Sequence, residues 1–222
     1  MTTPAPTPAV PVWRQPRVIG AVLILALIGA AFASTTFVPS GSQEVAADTA
    51  VEFAELNYES VVVPTIVESA EPVDVLLEAL LADPDAAGEE YGKREDETKP
   101  YSFAVEATGT VTEGNFGEVG LDVPGIPGDI TVGVSVPPLG SNTAIRDAGT
   151  ELAFGGFVNQ TEYQNVAIEL NKRVAESVFA DVDLTSMIGE RITVVGAFTW
   201  VSKTGGTIDH LTIIPVQIEA GA

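Results

Sequence analysis

The chain has no cysteine among its 222 residues. Without a thiol it cannot form a disulfide, and it cannot carry a lipid attached through a lipobox cysteine. Zinc sites built on thiolates are excluded for the same reason. Other interactions must therefore keep this chain folded.

Histidine is almost as scarce, because His210 is the only one. Acid–base catalysis near neutral pH relies on imidazole groups, and zinc takes three or four protein ligands. A Ser-His-Asp arrangement has no G-x-S-x-G element to identify its serine. His210 is interpreted as an ordinary strand residue, and neither a metal nor another cofactor is predicted. The enzyme alternative is an envelope hydrolase that uses Asp147 or His210 as its acid–base group.

Basic residues are few, since 10 Lys and Arg stand against 31 Asp and Glu, a formal net charge of −21. A chain this acidic, without a basic stripe, repels phosphate backbones, so nucleic acid is excluded as a partner. Calcium suits carboxylates, but the D-x-[DN]-x-[DN]-G loop that collects it is missing from the sequence. The acidity is interpreted as solubility outside the cell.

One long segment, residues 18–38, has no charged side chain and follows two arginines. At about 1.5 Å per residue, a helix of this length crosses a hydrocarbon core of about 30 Å. Residues 39–92 contain no Lys or Arg, so the positive-inside rule predicts a single-pass protein of the cell membrane with its N-terminus in the cytoplasm. The segment also fits a cleaved secretory signal, because Ala31 and Ala33 form an A-x-A pattern. Both interpretations stay open.

Composition divides the chain into four parts. Residues 1–17 are rich in proline and are predicted to be a disordered cytoplasmic tail. The transmembrane anchor or signal segment follows at 18–38, and a linker with a helical annex at 39–95. The last part, 96–222, is predicted to be a β-barrel domain.

The annex contains several short helical patterns. Asp48 is placed to cap a first helix, and Pro64 is predicted to prevent that helix from continuing. Leucines at helical spacing after Pro72 predict a second helix. Asp83 and Pro84 predict a third, with the aspartate as N-cap and the proline in the first turn.

From Tyr101 the hydrophobic period changes from helical to alternating. Five strands are predicted, at 101–112, 116–123, 130–136, 191–201 and 207–219, with a turn at Thr204–Gly206 between the last two. Three strands, one helix and two strands are the order of the five-stranded OB barrel. The predicted fold is therefore mainly β with an α annex, an OB-like barrel with a helix between its third and fourth strands. Pro215 is expected at an edge or bulge, because it cannot donate a ladder hydrogen bond.

The helix between those strands has the clearest pattern in the chain. Its apolar positions have the spacing of a helix buried on one side, and Thr161 with Gln164 matches a capping box. Polar groups gather on this helix and on its approach. These candidate ligand-binding residues are Arg146, Asp147, Asn159, Gln160, Tyr163 and Asn171. Planar amides, an aromatic ring and an Arg–Asp pair suit a sugar or another polyol, although the same set also fits polar scaffolding.

Several motifs occur in a recognisable order between residues 45 and 219. They are Tyr91-Gly92-Lys93-Arg94-Glu95, Pro100-Tyr101-Ser102-Phe103-Ala104-Val105, Thr143-Ala144-Ile145-Arg146-Asp147-Ala148, Phe157-Val158-Asn159-Gln160, Tyr163, and Leu170-Asn171. Together they resemble the bacterial family called domain of unknown function 2291, which consists of predicted periplasmic lipoproteins. The first motif adds Tyr91 and Arg94 as a second candidate cluster.

The resemblance implies export, membrane anchoring and an OB-like barrel with added helices. It also implies a setting near sugar-type ABC transporter components, and it implies no established activity. The chain departs from the family pattern in two places. The lipobox cysteine is missing, so residues 18–38 would replace it as the anchor, and Asn142 stands where a glycine is expected before the Thr143 motif.

These observations predict a membrane-anchored extracytoplasmic protein that serves as a binding or accessory module. Its expected partners are the membrane, through residues 18–38, and either a small polar ligand or an ABC transporter component. The envelope hydrolase and a purely structural envelope protein are the alternatives.

Overall fold

The structure, a computed structural model, describes residues 45–127, 129–152, 159–201 and 208–221. The predicted membrane segment, 18–38, and the predicted turn at Thr204–Gly206 lie outside the described residues. Within the described ranges, no helix is both long enough and apolar enough to span a membrane.

The helices are α1 Val45–Asn57, α2 Val63–Ser69, α3 Val73–Ala82, α4 Pro84–Tyr91, α5 Ala144–Gly149 and α6 Gln160–Ser177. A π-helical turn, Tyr58–Val62, joins α1 to α2. The strands are β1 Glu71–Pro72, β2 Gly92–Lys93, β3 Ser102–Thr112, β4 Glu118–Asp122, β5 Thr131–Ser135, β6 Arg191–Thr199 and β7 His210–Ala220.

Five of these strands close into a barrel. Strands β3, β4, β5, β7 and β6 are neighbours in that order, and β6 pairs again with β3. The β5–β7 pair is parallel, and the other barrel pairs are antiparallel. Helices α5 and α6 lie between the third and fourth barrel strands in the sequence. The predicted five-stranded barrel is therefore confirmed.

The helical annex also contributes to the barrel through β1 and β2. Strand β3 pairs with β6 over residues 102–110 of one edge, whereas β4 covers only residues 110–112 of the other. The two-residue strands β1 and β2 pair with parts of that second edge, at residues 105–106 and 102–103. An exposed strand edge invites unwanted pairing, and the annex covers part of the edge that the barrel strands leave open.

The alternation along β3 separates two apolar clusters. Phe103 faces the barrel interior, where its ring stacks on that of Phe198 with centroids 5.4 Å apart. The next residue, Ala104, faces a second cluster that includes Ile145 of α5 and Leu170 of α6. Helices α5 and α6 are thus held against the outer face of the barrel by buried apolar side chains.

Three details of the helix predictions are wrong. Helix α1 begins at Val45, so Asp48 lies inside it and is not its cap. Pro64 does not end the helical run, because the π-helical turn comes first and Pro64 then lies in the first turn of α2, where no N–H is needed. The N-cap of α6 is Asn159 rather than Thr161, and its Oδ1 accepts a hydrogen bond from the Glu162 N–H at 2.9 Å. Asparagine is at least as good an N-cap as threonine, so the helix begins earlier.

Other local predictions are confirmed. Asp83 caps α4 by accepting hydrogen bonds from the backbone of Asp85 and Ala86. Pro215 lies beside a bulge, where Val195 pairs with Gln217 but Gly196 pairs with Pro215.

Candidate functional site

Arg146 is the centre of the polar set predicted from the sequence. Its side chain is only 5% exposed and forms an ion pair with its neighbour Asp147, whose Oδ1 lies 2.7 Å from Nε and 2.6 Å from Nη2. Nη1 donates a hydrogen bond to the backbone carbonyl of Tyr163 at 3.2 Å. The guanidinium also lies over the Tyr163 ring, 3.7 Å from its centroid. Arg146 therefore links α5 to α6 by charge, hydrogen bond and cation–π contact.

The Tyr163 phenol is neutral over the physiological range. Burial raises the pKa of Tyr163 to about 12, and the Asp147, Glu95 and Asp96 carboxylates act in the same direction, while the Arg146 charge opposes them. Its hydroxyl donates a hydrogen bond to the Leu152 carbonyl at 3.4 Å. The ring is thus a fixed apolar surface with a neutral polar end.

Asn171 is 2% exposed and joins α6 to the loop before α5. Its Nδ2 donates to the carbonyls of Gly140 at 3.1 Å and Asn142 at 2.9 Å. The Asn142 side chain in turn accepts a hydrogen bond from the Ala144 N–H, so the asparagine that replaces the expected glycine stabilises the start of α5. Asn171 lines an apolar groove with Leu139 and is not brought next to Arg146.

Three cavities, of about 190, 190 and 240 Å³, share lining residues, and the first of them contains the Arg146–Tyr163 contact. We call them together the Arg146 trough, and their shared or central lining residues are Glu95, Lys99, Arg146, Asp147, Gln160 and Tyr163. Four of the six candidate residues therefore line one site. Asn159 lies beside it as the helix cap, and Asn171 lies elsewhere.

Of the second predicted cluster, Arg94 lines the trough. Its guanidinium lies 4.3 Å from the centroid of the Tyr101 ring, and Nη1 donates to the Glu97 carbonyl at 3.2 Å. Tyr91 packs instead against the apolar cluster of the barrel. The structure therefore separates the two residues of this cluster.

Charges of both signs line the trough in equal number. The basic residues are Lys93, Arg94, Lys99 and Arg146, and the acidic ones are Glu95, Asp96, Asp147 and Glu151. An ion pair of 2.7 Å joins Lys93 to Glu151 across the end of the trough. A site with this balance suits an uncharged ligand, or one that carries charges of both signs.

A second polar network was not predicted from the sequence, and it is centred on Glu118. His210 Nε2 lies 3.0 Å from Oε1 of Glu118, and His210 Nδ1 lies 2.6 Å from the Thr131 hydroxyl. Thr212 donates to Glu118 Oε2 at 2.9 Å, and Asn115 donates to Oε1 at 2.8 Å. The interpretation of His210 as an ordinary strand residue therefore missed a set of partners on three strands and a turn.

The Glu118 carboxylate is held in its charged form. Its side chain is 8% exposed, and burial alone would raise its pKa. Hydrogen bonds from Asn115, His210 and Thr212, together with the His210 charge, outweigh burial and lower the pKa of Glu118. The carboxylate lies over Gly133 of β5, where a side chain would collide with it.

This network borders a cavity of about 610 Å³, which we call the β4–β5 cleft. Glu118, Thr131 and His210 line it, together with the half-buried apolar residues Ile126 and Pro127. Its lining residues and those of the Arg146 trough have none in common. No motif of the sequence predicts the cleft. Its residues come together through the strand register, which pairs Thr131 with His210.

The strand order and a solved structure define the class of protein. The crystal structure of an OB-fold protein from Thermotoga maritima matches with a TM-score of 0.54 and 17% sequence identity, over 84% of this chain and 99% of that chain. The likeness shows that this chain has an OB fold with additional strands and helices. A comparison with curated proteins gives no match.

Residues 21–219 match the profile of the family described as predicted periplasmic lipoprotein, domain of unknown function 2291. The chain belongs to this family, as its motifs predicted. It has no cysteine to carry a thioether-linked lipid, although the family description names its members lipoproteins.

Proposed function

We propose that this protein is an extracytoplasmic binding module, tethered to the membrane by residues 18–38, that holds a small polar ligand in the Arg146 trough. One observation carries the proposal. Residues from separate motifs that resemble the family converge on the trough although they are far apart in the sequence. They are Lys93 to Glu95, Pro100, Thr143, Arg146, Asp147, Gln160 and Tyr163.

The ligand class follows from the trough lining. Gln160 and Lys99 are exposed at its rim, while Arg146 is fixed below them by Asp147 and Tyr163. An exposed amide and an exposed ammonium, next to an aromatic ring and a buried ion pair, can hydrogen-bond to the hydroxyl groups of a ligand that carries no net charge. A sugar, another polyol or a small zwitterion fits this description. We propose an ABC transporter component as the protein partner.

A thermal-shift screen of the full-length chain in a nonionic detergent tests this function. The panel contains monosaccharides, polyols, amino acids and small acids. A ligand at a hundred times its dissociation constant adds about 2.7 kcal/mol to the free energy of unfolding, which raises the melting temperature by several degrees. Substituting Gln160→Ala or Lys99→Ala should reduce the shift by about half or more, and Lys172→Ala, an exposed lysine on α6, should keep it. No shift with any compound would favour the structural alternative.

The hydrolase alternative has its own geometric support in the β4–β5 cleft. A hydroxyl, an imidazole and a carboxylate follow one another as Thr131, His210 and Glu118, the order of groups in an acyl-transfer triad. However, the Thr131 N–H donates to the Asp209 carbonyl, so it is not available to stabilise an oxyanion. Turnover of ester substrates that is lost in His210→Ala and retained in Gln160→Ala would support the hydrolase over the binding module.

A further inference from the structure

The β4–β5 cleft lies on the barrel face formed by the second and third barrel strands. In OB folds this face, with the loop between the first two strands, takes ligands. Here that loop supplies Gly114 and Asn115 to the lining, and the volume of about 610 Å³ falls within the usual range for small-molecule sites. The position and size of the cleft indicate a second ligand site, separate from the Arg146 trough.

The cleft lining combines apolar and polar side chains. Ile126 and Pro127 are its half-buried apolar residues, whereas Leu121 and Ile130 are buried in the apolar cluster of the barrel. Phe116, one residue after the lining residue Asn115, is fully exposed at the tip of the β3–β4 connection. An exposed phenylalanine ring beside a concave site offers a face to which a cation or an apolar group can bind.

The carboxylates of the cleft outnumber its basic side chains, because His210 is the one basic residue in the described lining. Glu113, Glu118 and Asp122 line it, and its described lining contains no Lys or Arg. Glu118 is already satisfied by Asn115, Thr212 and His210, whereas Glu113 and Asp122 have no side-chain hydrogen bond or ion pair with any described residue. A cleft that combines carboxylates with apolar walls concentrates the field and attracts cations.

We propose that the β4–β5 cleft binds a small organic cation, in which an ammonium group is joined to an apolar chain. The ammonium lies near Glu113 and Asp122, and the apolar chain packs against Ile126 and Pro127. Anionic ligands are repelled from this cavity, and an uncharged ligand of the same shape gains only the apolar contact. This site is independent of the ligand proposed for the Arg146 trough.

His210 provides a direct readout because it is the only histidine in the chain and it lines the cleft. Full-length protein labelled with heavy isotopes at histidine, in nonionic micelles, gives one imidazole signal. We would titrate it with three compounds of the same six-carbon length: hexamethylenediamine, hexanediol and adipic acid. The diamine should shift the signal to saturation, hexanediol should bind at least about tenfold more weakly, and adipic acid should have no effect.

Two double variants separate the cleft from the overall acidity of the chain. Glu113→Gln with Asp122→Asn should weaken diamine binding about tenfold, because two nearby charges are removed. Glu78→Gln with Glu89→Gln removes the same charge from exposed positions in the annex and should leave binding unchanged. Equal binding of hexanediol, equal losses in both double variants, or an unshifted His210 signal would overturn the proposal. Gln160→Ala should have no effect on this titration, so failure here leaves the trough proposal intact.

Discussion

Arg146 is a buried structural residue that also lines the Arg146 trough. Its guanidinium is buried against Asp147 and Tyr163, and these contacts position the floor of the trough. Sequence analysis identified the pair because Arg146 and Asp147 are adjacent in an otherwise apolar segment. It did not identify the stacking on Tyr163, because 17 residues separate the two partners.

Removing the guanidinium should strongly destabilise the fold. Arg146→Ala leaves the Asp147 carboxylate, whose side chain is 13% exposed, without its cation. We expect a loss of about 3 kcal/mol in the free energy of unfolding, the usual cost of breaking a buried ion pair from one side. Urea denaturation measures it. The double variant Arg146→Ala with Asp147→Ala should cost less than the sum of the two single variants, and strict additivity would contradict the coupling.

Glu118 should make stability depend on acid pH. Its pKa is lowered in the folded protein, so its network contributes stability above the unfolded pKa, and this contribution is lost as the pH falls through the folded pKa. Between about pH 5 and pH 3, the wild-type protein should therefore lose more unfolding free energy than Glu118→Gln. Denaturation at both pH values checks this, with the exposed Glu113→Gln as control. A Glu118→Gln profile parallel to that of the wild type would contradict the assignment.

Among the elements, α6 was predicted from the sequence, but the residue at which it begins was not. The apolar spacing predicted the helix correctly, but the capping box at Thr161 was wrong because Asn159 already satisfies the Glu162 N–H. The two caps compete over one turn, and the sequence pattern does not decide between them. The trough depends on the outcome, since Gln160 becomes the first helical residue.

The contributions of Asn159 and Thr161 to the start of α6 can be compared directly by substitution. Asn159→Ala removes the side chain that accepts the Glu162 N–H and should cost about 1 kcal/mol of stability. Thr161→Ala, at an exposed position inside the first turn, should cost less than about 0.5 kcal/mol. Thermal or urea denaturation of both variants gives the comparison. A larger loss for Thr161→Ala would restore the capping box.

For the whole molecule, the hydrophobic period of each segment and the order of the elements predicted most of the fold. The five barrel strands and the helix between the third and fourth are local patterns that the sequence displays. By contrast, strands β1 and β2 are two residues long and have no pattern of their own, so their pairing with β3 appears only once the annex folds back. The Glu118–His210 contact was missed for a similar reason, because 92 residues separate its partners.

The absence of cysteine makes the predicted topology easy to test. A single cysteine at Glu89, exposed on α4, should react with a membrane-impermeant maleimide in intact spheroplasts. A single cysteine at Thr3 should react only after lysis if residues 18–38 remain as an anchor with the N-terminus inside. Loss of the Thr3 label from the mature chain would indicate a cleaved signal. Protection of Glu89→Cys in spheroplasts would contradict export.

The central claim is that the Arg146 trough binds a ligand, and calorimetric titration tests it most directly. The compound with the largest thermal shift would be titrated into full-length wild type, Gln160→Ala and Lys172→Ala. We predict one site per chain and a dissociation constant at least about tenfold higher in Gln160→Ala, which corresponds to about 1.4 kcal/mol, with no change in Lys172→Ala. Equal dissociation constants in all three proteins would contradict the claim.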